Sequence, residues 1–107
     1  MRAYDSLRRR GDFARVTRRG KRYAGTYLTC FVAEGRRRTR VGITVSGTVG
    51  GAVVRNRLRR RIKAILDGHP LGTAPWRDIV FIARPGAGEL AFDVLADEVG
   101  RALGRSS

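Results

Sequence analysis

The sequence contains few of the residues from which proteins build disulfides, metal sites and catalytic centres. It has one histidine, His69, and one cysteine, Cys30, so it can form neither an internal disulfide nor a thiolate metal cluster. It has no apolar run that could act as a signal peptide or membrane span. No nucleophile stands beside a base, so we assign no catalytic residue and no metal ligand. We expect a soluble protein of the reducing cytoplasm.

Acidic residues are also scarce, and they are unevenly placed. Nine Asp and Glu stand against 23 Lys and Arg, a formal net charge of +14. Residues 1–63 carry 19 of the basic residues and three of the acidic ones, whereas residues 64–107 carry four and six. A charge of this size predicts a polyanionic partner, either nucleic acid or an anionic membrane surface. The first two thirds of the chain are therefore expected to bind it.

The 107 residues and a hydrophobic content of 42% are typical of one folded domain with one core. We predict a single domain over residues 1–107, with residues 1–9 as a flexible basic arm. Hydrophobic periodicity predicts helices near 11–19, 50–66 and 89–103 and strands near 23–33, 40–45 and 78–84. The first two strands, joined by a short loop, predict a hairpin. The order α-β-β-α-β-α indicates an α+β domain, an α/β sandwich around one sheet.

Segment 50–66 predicts a helix with two different faces. Its apolar stripe, typical of a core-facing helix, consists of Val54, Leu58, Ile62 and Ile65. No acidic residue interrupts the segment before Asp67, whereas a solvated helix face ordinarily mixes both signs of charge. The polar face is therefore interpreted as a nucleic-acid surface. A membrane surface is the weaker alternative, because the apolar stripe is needed for the core.

The same segment carries a resemblance to a known family. Its sequence Ala52-Val53-Val54-Arg55-Asn56-Arg57, followed by Arg59-Arg60 and Ile62-Lys63, resembles the RNR signature of the bacterial ribonuclease P protein family. Further similarity lies in Asp12-Phe13, in Val41-Gly42-Ile43 and in the stretch 79–85. The resemblance spans about residues 5 to 103.

The resemblance implies a fold like the second domain of ribosomal protein S5, with a left-handed crossover around the signature helix. It also implies a non-catalytic protein subunit of an endoribonuclease. In that enzyme the catalytic RNA, with bound Mg²⁺, removes the 5′ leader from precursor tRNA. The partners expected from the resemblance are the catalytic RNA and precursor tRNA, with the Mg²⁺ held mainly by the RNA. No membrane and no small-molecule substrate is expected.

The resemblance also assigns site residues. The set that binds the catalytic RNA would be Arg55, Asn56, Arg57, Arg59, Arg60, Arg61 and Lys63. The cleft for the single-stranded leader would be formed by Phe13, Val16, Tyr27 and Phe31. Aromatic faces can stack on unpaired bases without reading their sequence, which suits a protein that serves many precursors. Ordinary core packing is the alternative for the aromatic residues, above all for Tyr27.

The chain departs from the family pattern in two places. Gly47-Thr48 and Gly51 stand in the loop where the family has basic residues and Asn, and Thr17 stands where it often has a second aromatic. The alternative function is a general RNA-binding protein, of ribosomal or RNA-chaperone type, without a ribozyme partner. That alternative explains the charge equally well but does not explain the signature.

Overall fold

The computed structural model describes residues 2–106, which form one five-stranded sheet and three α-helices. The strands are β1 (Asp5–Ser6), β2 (Lys21–Ala24), β3 (Leu28–Glu34), β4 (Arg40–Thr44) and β5 (Arg77–Ala83). The helices are α1 (Arg10–Arg19), α2 (Ala52–Leu66) and α3 (Phe92–Ser106), and a short 3₁₀ turn covers Ala87–Glu89. The predicted α+β class and the three predicted helices are confirmed.

The strands lie in the order β1-β4-β5-β3-β2. Strand β4 is parallel to both of its neighbours, whereas β3 is antiparallel to β5 and to β2. Helix α2 connects the adjacent parallel strands β4 and β5, which makes a β-α-β unit. The left-handed sense of this crossover, which the family resemblance implies, stays a prediction.

The hairpin predicted from the strands near 23–33 and 40–45 is wrong, because β5 lies between β3 and β4. The reason is burial: β5 is apolar throughout residues 79–83, and Ile79, Val80 and Phe81 are completely buried. A strand that is apolar on both faces is most stable in the middle of a sheet, covered on both sides. The single strand predicted over 23–33 is also two strands, β2 and β3, joined where the Gly25 amide donates to the Leu28 carbonyl at 2.8 Å.

The N-terminal segment is part of the sheet, and the prediction of a flexible arm over residues 1–9 is wrong for residues 2–9. The Asp5 amide donates to the Thr39 carbonyl and the Leu7 amide to the Val41 carbonyl, both at 2.9 Å. Tyr4 and Leu7 are buried, at 5% and 4% exposure. Two apolar side chains beside the open edge of β4 are sufficient to dock this short segment. Met1 lies outside the described residues.

The two faces of the sheet carry different helices. Alternation along β5 points Ile79 and Phe81 to the face covered by α2 and α3, and Val80 to the face covered by α1. The predicted stripe of α2 is confirmed, since Leu58, Ile62 and Ile65 are buried, although Val54 is only half-buried. The basic helix α2 and the helix α1 therefore lie on opposite sides of the sheet.

A buried carboxylate joins α1 to the sheet. The Asp78 side chain, 3% exposed, accepts hydrogen bonds from Arg40 Nε at 3.0 Å and Nη2 at 2.8 Å, and another from Arg15 Nη2. Arg40 also lies 3.4 Å from Asp12. Burial by itself raises the pKa of Asp78, but the hydrogen bonds and positive charges of Arg40 and Arg15 outweigh it, so the pKa lies below its ordinary value.

We expect Asp78→Asn to lower the free energy of unfolding by about 2–4 kcal/mol at pH 7, because two partly buried guanidinium groups lose their counter-charge. A carboxyl whose pKa is depressed in the folded state stabilises the fold above its unfolded pKa, about 4, and this contribution is lost as the pH falls through the folded pKa. The difference between Asp78→Asn and the unsubstituted protein should therefore shrink below about pH 4. Urea unfolding at several pH values measures it.

Asp67→Asn is the matched control, because Asp67 pairs with Arg2 at the surface, where both side chains are more than 40% exposed. We expect it to change the free energy of unfolding by less than about 1 kcal/mol. A loss at Asp78 that stays constant down to pH 2 would show that its ionised form does not carry the stabilisation.

Candidate nucleic-acid interface

Helix α2 places all the predicted RNA-facing residues outside its buried stripe. Asn56, Arg57 and Arg60 are exposed, and the other four are half-buried, namely Arg55, Arg59, Arg61 and Lys63. The helix begins after Gly51 without a side-chain cap, and its first turn has no acidic residue. The positive end of the helix dipole therefore adds to the guanidinium charge on the same surface.

Three of these arginines also hold the fold together. Arg57 Nη2 donates to the Gly88 carbonyl at 3.2 Å, and Arg61 Nη1 donates to the Leu90 carbonyl at 3.1 Å. Both bonds tie α2 to the segment that follows β5. Arg59 donates to Asn56 Oδ1 at 3.1 Å and to the Val45 carbonyl at 3.5 Å. The sequence does not indicate these hydrogen bonds, because the accepting backbone carbonyls lie in distant segments. A backbone carbonyl is present in every residue type, so it leaves no pattern in the sequence.

The predicted leader cleft is only partly assembled. Phe13 on α1 and Phe31 on β3 are half-buried and lie together on the α1 face of the sheet. Val16 is completely buried against Leu7 and Val80, so its assignment to the binding surface is wrong. Val16 lies on the line of α1 that points into the sheet and can only support the cleft from below.

Tyr27 does not join the cleft either. It precedes the first residue of β3, so the alternation that places Phe31 on the α1 face does not extend to it. Its ring packs beside Gly86 and against the core on the other face of the sheet, and its amide donates to Glu98 Oε1 at 3.4 Å. The assignment of Tyr27 to the leader cleft is therefore wrong.

Two residues that sequence reasoning did not assign to the cleft complete its shape. A Cβ atom at Gly42 would lie 2.4 Å from Phe13 Cζ, so only glycine lets the ring rest on the backbone of β4. Ile82 is half-buried and packs in the same cluster as Phe13 and Phe31. The alternation along β5 indicates that Ile82 shares a face with Val80. No local sequence feature indicates that an aromatic ring packs on Gly42. We call Phe13, Phe31 and Ile82 the aromatic cleft.

The described residues 2–106 contain no group of three or more His, Cys, Asp or Glu side chains that could hold a metal ion. Asp12 on α1 and Asp78 on β5 are paired with arginines. Within the same residues, no helix combines the length and the apolarity that crossing a membrane requires.

Comparison with known proteins decides the family. The family model described as Ribonuclease P matches residues 1–107, the whole chain. The chain belongs to the ribonuclease P protein family. It is therefore the protein component of a ribonucleoprotein endoribonuclease, and its partner is an RNA.

Individual relatives agree with this. The chain is 44% identical over 103 residues to the ribonuclease P protein component of Acidothermus cellulolyticus, covering 92% of this chain and 85% of that one. It is 42% identical over 107 residues to the component from Roseiflexus castenholzii, covering 98% and 87%. The solved RNase P protein from Thermotoga maritima superimposes with a TM-score of 0.83 at 27% identity, covering 96% and 98%. The family resemblance found in the sequence is confirmed.

We expect Arg57→Ala to lower the free energy of unfolding by about 0.5–1.5 kcal/mol, because the Gly88 carbonyl loses its donor. Arg60→Ala, at an exposed position of the same helix, is the matched control and should change stability by no more than about 0.5 kcal/mol. Urea unfolding of both variants measures the difference. Equal stability of the two variants would contradict the structural role of Arg57.

Proposed function

We propose that the chain binds the catalytic RNA through the polar face of α2. The observation that carries the proposal is a helix of 15 residues with no acidic residue, whose apolar stripe is already used by the core. Phosphates attract guanidinium and ammonium groups at any RNA sequence and release counterions when they bind. The residues proposed for this contact are Arg55, Asn56, Arg57, Arg59, Arg60, Arg61 and Lys63.

The second part of the proposal places the 5′ leader of precursor tRNA in the aromatic cleft. Phe13 and Phe31 are each half-buried there, and unpaired bases stack on aromatic rings with little regard to sequence. The cleft lies on the α1 face and α2 lies on the opposite face. At the edge formed by β1 and β4, however, Phe13 lines a small pocket together with Arg59 and Lys63 of α2, so the two proposed contacts adjoin there.

The third part concerns the metal and the chemistry. Mg²⁺ bound mainly by the RNA would supply the activated water and the stabilisation of the leaving group. The donor set of the protein, rich in arginine and with its buried carboxylates already paired, suits phosphate and not Mg²⁺. The contribution of the protein is to lower the repulsion between two RNA chains and to position the substrate. We place this activity in the cytoplasm and assign the protein no small-molecule substrate.

The direct test is cleavage of a precursor tRNA at low Mg²⁺ by the cognate catalytic RNA, by the protein and by both together. We expect efficient cleavage at the mature 5′ end only with both, because the protein neutralises phosphate charge that Mg²⁺ must otherwise screen. A protein that binds the RNA and leaves its cleavage rate unchanged at every Mg²⁺ concentration would contradict the proposal.

For the aromatic cleft, we expect Phe13→Leu to weaken binding of leader-bearing substrate by about fivefold and to leave binding of mature tRNA unchanged. Leucine keeps an apolar side chain above Gly42 but removes the stacking face, which is worth about 1–3 kcal/mol per base. Affinities of the assembled enzyme for the two substrates measure the effect.

Phe81→Leu is the matched control, because Phe81 is completely buried on the other face of the sheet. It should lower stability and affect both RNAs equally. A Phe13→Leu variant that behaves in the same way would show that Phe13 only packs.

A further inference from the structure

A second groove lies on the other side of α1 from the aromatic cleft. Its walls are α1 and the loop between β3 and β4, its floor is the ends of β3, β4 and β5, and its volume is about 1330 Å³. The α1 residues that line it are Asp12, Arg15 and Arg19. At 100° per residue these lie on one flank of the buried Val16, whereas Phe13 and Thr17 lie on the other flank. We call this the arginine groove.

The charge of the arginine groove is strongly positive. Eight cationic and four acidic side chains line it. Arg15 and Arg40 are held by Asp78 and Asp12, and Arg38 pairs with Asp5 at 3.1 Å. Within residues 2–106 the other five cations have no carboxylate within 4.0 Å, namely Arg9, Arg19, Lys21, Arg36 and Arg37. Glu34 is the remaining acid, so the groove keeps a large positive excess for a ligand.

The loop that carries two of these cations is fixed at both ends. The Gly35 amide donates to the Trp76 carbonyl at 2.8 Å, and a Cβ atom at Gly35 would lie 2.8 Å from the Arg77 nitrogen. At the other end Arg38 Nη2 donates to the Arg2 carbonyl at 2.8 Å. Arg36 and Arg37 are exposed between these anchors. Their backbone is therefore ordered before any ligand arrives, which reduces the entropy lost on binding.

The chemistry of the lining identifies the ligand. Arginine forks bind phosphate oxygens in pairs, and none of the lining residues is aromatic, so the groove offers no surface on which unpaired bases could stack. We propose that the arginine groove binds the phosphodiester backbone of RNA, as a contact separate from both α2 and the aromatic cleft. The proposal rests on the role of the chain in a ribonucleoprotein, but it needs neither the leader assignment nor the α2 assignment.

The geometry gives this contact a distinct consequence. The arginine groove opens on the α1 face of the sheet, and α2 covers the opposite face. The phosphates in the groove come either from the catalytic RNA or from the precursor tRNA, and the two sources can be separated by experiment.

The test is the double substitution Arg36→Gln with Arg37→Gln in the full chain. Both side chains are exposed, so the melting temperature should stay unchanged. We measure the affinity of the protein for the catalytic RNA, and then the affinity of the assembled enzyme for precursor and mature tRNA, each over a range of salt concentrations. We expect one of these affinities to fall on the order of tenfold, and its logarithmic salt slope to fall by about two, since each lost phosphate contact removes about 0.9.

The matched control is Arg18→Gln with Arg84→Gln, which removes the same charge at two exposed positions outside the groove. A loss confined to the first arm assigns the phosphates to the catalytic RNA, and a loss confined to the second assigns them to tRNA. An equal loss in the control, or no loss in either arm, overturns the proposal.

The variant Arg60→Gln, on α2, separates this result from the proposed function. If Arg60→Gln weakens binding of the catalytic RNA and the groove variant weakens nothing, the arginine groove fails and the α2 contact stands. If neither variant weakens any RNA affinity, both proposals fail.

Discussion

Every layer of the molecule depends on the burial of β5 on both of its faces. Its backbone pairs with β4 on one side and β3 on the other, and its side chains meet α1 through Val80 and the larger core through Ile79 and Phe81. Burying three such side chains contributes several kcal/mol by about 25 cal/mol per Å² of apolar surface. Asp78, at the start of the strand, then fixes α1 through Arg15. One strand thus contributes to the apolar packing on both faces of the sheet.

The scarcity of carboxylates shapes how the arginines are held. In a chain with nine acidic residues many guanidinium groups have no counter-charge to pair with, and several donate to backbone carbonyls instead. Arg57 and Arg61 use the carbonyls of Gly88 and Leu90 in this way. A carbonyl orients the side chain without cancelling its charge. The same arginine can therefore tie two segments together and still attract a phosphate.

This arrangement links RNA binding to stability. So many like charges repel one another in the folded chain, and a bound polyanion removes that repulsion. A ligand that binds only the folded state also stabilises it in proportion to its concentration. The carbonyl-bound arginines and the hydrogen bonds of the buried Asp78 hold the cationic side chains in place in the absence of RNA. Less conformational entropy is therefore lost when RNA binds.

Local patterns in the sequence determined the helices, the apolar stripe of α2, the apolar run of β5 and the family signature, because each is expressed within about fifteen neighbouring residues. Composition alone determined the excess of positive charge, since a sum over the chain needs no tertiary structure. Tertiary structure alone decided the strand order, which inserts β5 between β3 and β4, and the docking of Tyr4 and Leu7 at the edge of β4. It also separated Phe31 from Tyr27, since the strand that would have aligned them begins one residue after Tyr27. The arginine groove belongs to this second group. Its walls come from α1 and a loop about twenty residues away, and they meet only because the sheet brings distant segments of the chain together.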